Sequence, residues 1–185
     1  MSKRLLPSAL LLALAALALS ACGDSGDSTS SESTATFDEE GYEITFEYPG
    51  DWSLEDDITI ADQLGDSNAD TVRGVMVGNE DGIIVESYTL NLSVDDKNVD
   101  QAKVELDKLI GQLEPGASGT VGEIAGMPSV TYDSVPLETP TDGESKLVAI
   151  FDGSTEYLLN CQSTPDHREE VQAGCEQALS TVEAK

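Results

Sequence analysis

Tyr42, Ile44, Phe46 and Tyr48 alternate with Glu43, Thr45 and Glu47, the two-residue period of a strand with one face buried and the other in water. Pro49-Gly50 stops this strand, and Trp52 follows. Ile58-Thr59-Ile60 reads as a second short strand and residues 63–70 as a polar loop. Residues 72–77 and 83–94 read as two further strands, joined by a turn at 79–82. The period then changes. Val99, Ala102, Leu106, Leu109, Ile110 and Leu113 fall on one face at helical spacing. Asn98, with Gln101 three residues on, predicts a capping box, and Glu114-Pro115-Gly116 ends the helix.

Strands at 119–124 and 129–135 flank Ala125-Gly126, and a proline-containing excursion covers 136–143. Residues 146–151 and 156–161 read as strands around Asp152-Gly153, a strong local hairpin signal. A last helix is expected to begin with Thr164 as cap and Pro165 at the first helical position. Val171, Cys175, Ala178, Leu179 and Val182 form its buried stripe. Many strands joined by hairpins, with two amphipathic helices, define an α+β fold: a central antiparallel sheet with helices packed on it. Tyr42, Phe46, Tyr48 and Trp52 are expected to fill the sheet–helix core, while Tyr88, Tyr132 and Tyr157 fit core or rim equally.

The start of the chain has neither period. Lys3 and Arg4 precede an apolar run over 5–19 that ends in Leu19-Ser20-Ala21-Cys22. A basic start, an apolar stretch and small residues before a cut make a secretory signal. A spanning helix needs roughly 20 apolar residues, and a Ser/Asp/Gly-rich stretch follows this run at once. Leu19-Ser20-Ala21-Cys22 resembles the bacterial lipobox, in which the cysteine thiol receives diacylglycerol, the chain is cut just before it, and the new N-terminus is acylated. The resemblance implies a signal peptide over 1–21, a lipidated Cys22, and a cell-membrane location on the extracytoplasmic face. Two or three acyl chains, palmitate among them, would hold such a protein firmly where a single chain is marginal.

Residues 23–36 contain Gly, Asp, Ser, Thr, Glu and Ala but no large apolar side chain, so they read as a flexible tether with a reach of about 20 Å. The expected organisation is thus 1–21 signal, 22–36 lipidated cysteine and tether, and 37–185 a single α+β domain.

Composition sharpens this. The 185 residues carry 36 acidic and nine basic side chains, a net charge of −27 that becomes −29 once Lys3 and Arg4 leave with the signal. Such a chain cannot displace the counterions of a nucleic acid, so no nucleic-acid partner is expected. Between Cys22 and Arg73 there is no Lys, Arg or His. Anionic headgroups repel a surface of that sign over about 10 Å. The acidity therefore reads as stand-off and solubility, with divalent cations as counterions.

With Cys22 committed to lipid, Cys161 and Cys175 have one pairing left. Export permits oxidation, and a bridge would pin the last helix to the strand before it, contributing about 3 kcal/mol through a loop of about 15 residues. Cys161, Cys175 and His167 fit no zinc spacing. Calcium is the better ionic expectation. Asp66, Asn68 and Asp70 match the first half of an EF-hand loop, although Thr71 replaces its turn glycine and Val77 its terminal Glu. A serine hydrolase would have to use His167, the single histidine, in a polar first helical turn. Gly116-Ala117-Ser118-Gly119-Thr120 approaches a nucleophile elbow but has Thr120 where the second glycine belongs.

The phrase from Gly41 through Tyr42 to Pro49, Gly50, Asp51 and Trp52 resembles the opening of PsbP-like domains. Residues Gly122 to Pro128, and the ending from Tyr157 through Cys161 to Cys175, are similar to actinobacterial lipoproteins of the mycobacterial LpqN type. The resemblance covers about 37–183. It implies an α/β/α sandwich, and a family of accessory binders that includes a photosystem II extrinsic protein and a Ran-binding protein. No catalytic residues come with it. The expected function is that of a lipid-anchored, non-catalytic binding or accessory protein whose partner is another envelope protein or a small molecule. An assembly or maturation factor for a membrane complex is the alternative, as is a weak calcium binder.

Overall fold

The computed structural model describes residues 33–56, 58, 69–137 and 142–185. Its strands are β1 (Thr34–Phe37), β2 (Ile44–Pro49), β3 (Ser53–Glu55), β4 (Thr71–Met76), β5 (Gly82–Val94), β6 (Thr120–Ile124), β7 (Met127–Pro136), β8 (Glu144–Ser163) and β9 (Glu183–Ala184). Its helices are α1 (Val99–Ile110) and α2 (Arg168–Ser180). The larger sheet runs β3-β4-β5-β8-β7-β6, antiparallel at every pairing, and the smaller runs β1-β2-β9.

The 20 residues of β8 double back. The side chains of Ser145 and Asn160, 15 residues apart, are hydrogen-bonded to each other, whereas fifteen extended residues would separate them by about 50 Å. The turn falls at Asp152-Gly153, as the sequence predicts. The first arm pairs with β7 (Thr131 opposite Val148) and the second with β5 (Val85 opposite Leu159).

This hairpin gives the sheet two covered faces. Val148, Ile150, Tyr157, Leu159 and Cys161 join Ile83 and Val85 in a core with β2 and α2. Leu147, Ala149, Phe151 and Leu158 join Val130 and Tyr132 in a second core beneath Val99 and Ile110 of α1. Double coverage explains why Ile83, Ile84 and Val85 are consecutively buried in β5. The aromatic strand behaves as expected. Phe46 stacks on Phe37 with ring centroids 4.6 Å apart, and Tyr42, Tyr48 and Trp52 are buried with them. Tyr132 and Tyr157 are core residues.

Several expectations need correction. Thr34–Phe37 pairs with β2, so the tether assigned to 22–36 gives way to ordered strand at Thr34. Ile58 lies outside regular structure, and Thr59 and Ile60 fall outside the described residues. Asn98 precedes α1 without capping it. Its Oδ1 accepts the Asp95 N–H at 2.7 Å and its Nδ2 donates to Ser93 O at 2.8 Å, so both ends of the amide hold the preceding turn. Leu109 is 37% exposed instead of buried. Thr164 and Pro165 belong to a turn closed by the His167 N–H on Thr164 O, and α2 starts at Arg168.

Gly174 shows how α2 is seated. A Cβ built there would lie 2.4 Å from the Trp52 ring. Alanine ordinarily strengthens a helix relative to glycine by about 1 kcal/mol. Here Gly174→Ala is expected to destabilise by about 1–3 kcal/mol, because a packed indole has no room to yield. Urea unfolding followed by Trp52 fluorescence measures the sign directly.

Candidate functional site

Between the open end of the β8 hairpin and α2 lies a cavity of about 240 Å³. Glu144 and Lys146 enter it from the first arm of β8, Cys161 and Ser163 from the second, and Asp133 from β7. Val171, Gln172, Cys175 and Glu176 of α2 complete it. The wall is partly covalent, since Cys161 and Cys175 form the expected disulfide with Cα atoms 6.0 Å apart. Both cysteines are buried, so the bridge is a structural strut between strand and helix.

The charges around the cavity are unevenly matched. Glu144 Oε1 is 2.7 Å from Arg168 Nε, an ion pair in which the N–H is not aligned on the oxygen. Lys146 Nζ is 3.5 Å from Asp133, too far for a hydrogen bond, and makes none among the described residues. Glu176 has no ion-pair partner among them. Ser163 is 3% exposed, and its hydroxyl has no hydrogen-bond partner among the described residues. The cavity lining thus carries three carboxylates, those of Asp133 and Glu144 ion-paired and that of Glu176 not so among the described residues, together with the paired ammonium of Lys146 and the Ser163 hydroxyl.

The sequence-predicted sites fare differently. Cys22, Asp66 and Asn68 lie outside the described residues. Asp70 is exposed, and its backbone N–H donates to Ser87 O at 2.7 Å. No cluster of three His, Cys, Asp or Glu side chains suited to a metal occurs among the described residues. His167 Nδ1 lies 3.0 Å from Glu170, whose carboxylate raises the imidazole pKa. Ser118 accepts a hydrogen bond from Lys103 Nζ at 2.9 Å. The two residues a serine hydrolase would need are therefore engaged with different partners. Lys103 is also ion-paired to Asp107.

Asp107 is instead a structural hub. It accepts hydrogen bonds from the Gly119 N–H and the Tyr132 hydroxyl, each at 2.8 Å, and from Lys103 at 2.5 Å, tying α1 to β6 and β7. Burial pushes its carboxyl upward, but the bonds from Lys103, Gly119 and Tyr132 outweigh that and hold the pKa at about 2. Burial, followed by the Asp107 carboxylate, pushes the Tyr132 phenol well above its ordinary value. A depressed acid stabilises the fold above its unfolded pKa of 3.8, and the benefit is lost as pH falls towards 2. With solvent screening, Asp107→Asn is expected to lower stability by on the order of 1 kcal/mol at neutral pH. Denaturation midpoints of the two proteins should converge near the acid end.

Sequence reasoning missed the pair Glu86 and Glu156. Both face the α1 side of the larger sheet and are only 5% and 9% exposed. Burial first, and Glu86 second, push the Glu156 carboxyl up to about 7. Tyr88 donates its hydroxyl proton to Glu86. Strand alternation alone gives Glu86 no reason to be buried.

No protein-family description matches the sequence, and no curated protein matches it. Solved structures do. The solution structure of cyanobacterial PsbP (CyanoP) from Synechocystis aligns with a TM-score of 0.55 at 12% identity, covering 90% of this chain and 99% of that one. The crystal structure of a Bacteroides thetaiotaomicron protein aligns with a TM-score of 0.51 at 14% identity, covering 81% of this chain and 48% of that one. At these identities the likeness is one of fold. The chain has a PsbP-like α+β fold: an antiparallel sheet with α1 on one face and α2 on the other.

Proposed function

We propose that this chain is an extracytoplasmic, lipid-anchored, non-catalytic binding protein of the cell envelope. Residues 1–21 direct export, Cys22 carries the lipid, and the segment up to Thr34 tethers the domain off the bilayer. The observation that carries this reading is the Cys161–Cys175 bridge. A bridge between these two side chains is at home in an oxidising compartment, and it leaves Cys22 as the cysteine available to lipid. The separate engagements of Ser118 and His167 support a binding role over hydrolysis, and the cavity beside the bridge supplies a place to bind. No helix among the described residues is long and apolar enough to cross a membrane. In cells given an alkynyl palmitate analogue, the chain should become labelled and partition with membranes. Cys22→Ser should lose both properties. Labelling that survives this substitution would contradict the anchor.

A further inference from the structure

Cys161 and Cys175 are only 4% and 1% exposed, yet both line the cavity beside α2. The bridge is thus shut off from the outer surface but borders a space of about 240 Å³. Such a space holds about eight waters. A thiol of four or five non-hydrogen atoms fits it, and a dithiol carried on a folded protein does not.

Disulfide exchange begins when a thiolate reaches one of the two sulfurs. The attacker forms a mixed disulfide with one cysteine and expels the other as a thiolate, which takes a proton from water. A second thiolate attacks the mixed disulfide. Two small thiols thereby leave as one small disulfide, and the bridge becomes two cysteine thiols. Every attacker brings negative charge, and the cavity wall opposes it. Asp133 is ion-paired to Lys146 and Glu144 to Arg168, which leaves Glu176, beside Cys175 in the chain, as the surplus carboxylate among the described residues. One like charge at about 6 Å slows an attacker by about three- to tenfold for each charge it carries, at an effective dielectric constant of about 40–80.

We propose that the α2 cavity is the port through which the Cys161–Cys175 bridge is reduced in the folded chain, and that Glu176 makes the port selective against thiols bearing a further negative charge. The bridge is then a redox-sensitive latch between β8 and α2, open to small thiols with no second charge and closed to protein dithiols. This goes beyond the binding role and does not depend on the anchor.

The test is the rate at which the full-length oxidised chain is reduced by mercaptoethanol, by mercaptoacetate and by the protein dithiol thioredoxin. Freed thiols are alkylated and counted by mass, at about pH 8, where carboxylates are ionised, and at about 0.02 M salt, where screening is weak. Each rate is taken per thiolate and divided by the same reagent's rate on hydroxyethyl disulfide, an open and uncharged reference. Mercaptoethanol should outpace mercaptoacetate by about three- to tenfold, the gap should close at about 1 M salt, and thioredoxin should be slower than both. Glu176→Gln should raise the mercaptoacetate rate to that of mercaptoethanol. Glu176 is exposed on α2, so this exchange leaves the fold in place. Low urea should leave the mercaptoethanol rate unchanged. Five results would each overturn the proposal: no reduction by mercaptoethanol, equal rates for the two small thiols, selectivity that survives in Glu176→Gln, thioredoxin as fast as mercaptoethanol, or a mercaptoethanol rate that climbs with urea along the full unfolding slope.

Discussion

Replacing Glu156 by Gln should stabilise the domain by about 3 kcal/mol at about pH 8 and leave it unchanged at about pH 4. Burial raises this carboxyl from 4.5 to about 7, and the neighbouring Glu86 adds to the shift. The folded state therefore favours the protonated acid. Below the unfolded value of 4.5 both states hold the proton and nothing is lost. Between 4.5 and about 7 the folded state binds more protons than the unfolded one, so stability falls as pH rises. Above about 7 the penalty is constant. Glutamine keeps the shape and cannot ionise, so it escapes the penalty. Thermal unfolding across pH should show the variant's melting temperature above the wild type's in alkali and merging with it in acid. Parallel curves across that range would contradict the assignment.

Removing the disulfide should act in the opposite direction and independently of pH. Cys161 and Cys175 are 14 residues apart, and a closed loop of that size restricts the unfolded chain by about 3 kcal/mol. The double substitution to alanine is expected to lower the melting temperature by roughly 6–12 °C for a domain of this size. Both residues are also buried between β8 and α2, so lost packing adds to the loss of constraint. The cavity would lose its covalent wall at the same time. A double variant that melts with the wild type would mean that the α2 packing alone holds the helix.

The two groups differ in how readable they were. The disulfide was legible because the expectation of export and the count of cysteines both point to it. The strands from 42 to 48 and around Ala125-Gly126 and Asp152-Gly153 were legible because alternation and turn residues agree there. β1 was not, since Thr34, Ala35 and Thr36 carry no apolar alternation, and pairing with β2 decides their state. β9 was missed for the same reason, as two residues contain no period at all. The start of α2 was misplaced because Pro165 also fits a turn, which local sequence does not distinguish from a first helical residue. Glu86 and Glu156 were invisible as buried acids. In a strand they look like the solvent side of an alternation, and only coverage of both sheet faces makes that side an interior. The cavity draws on three strands and a helix, including the two arms of one hairpin, and no spacing in the sequence joins them.

The intact mass of the chain extracted from its native membrane, without reductant, tests the account most directly. It predicts a chain that begins at Cys22, carries the added mass of diacylglycerol and an acyl group, and is two hydrogens lighter than its free-thiol form. A chain that still begins at Met1, or a mature chain with an unmodified Cys22, would contradict it.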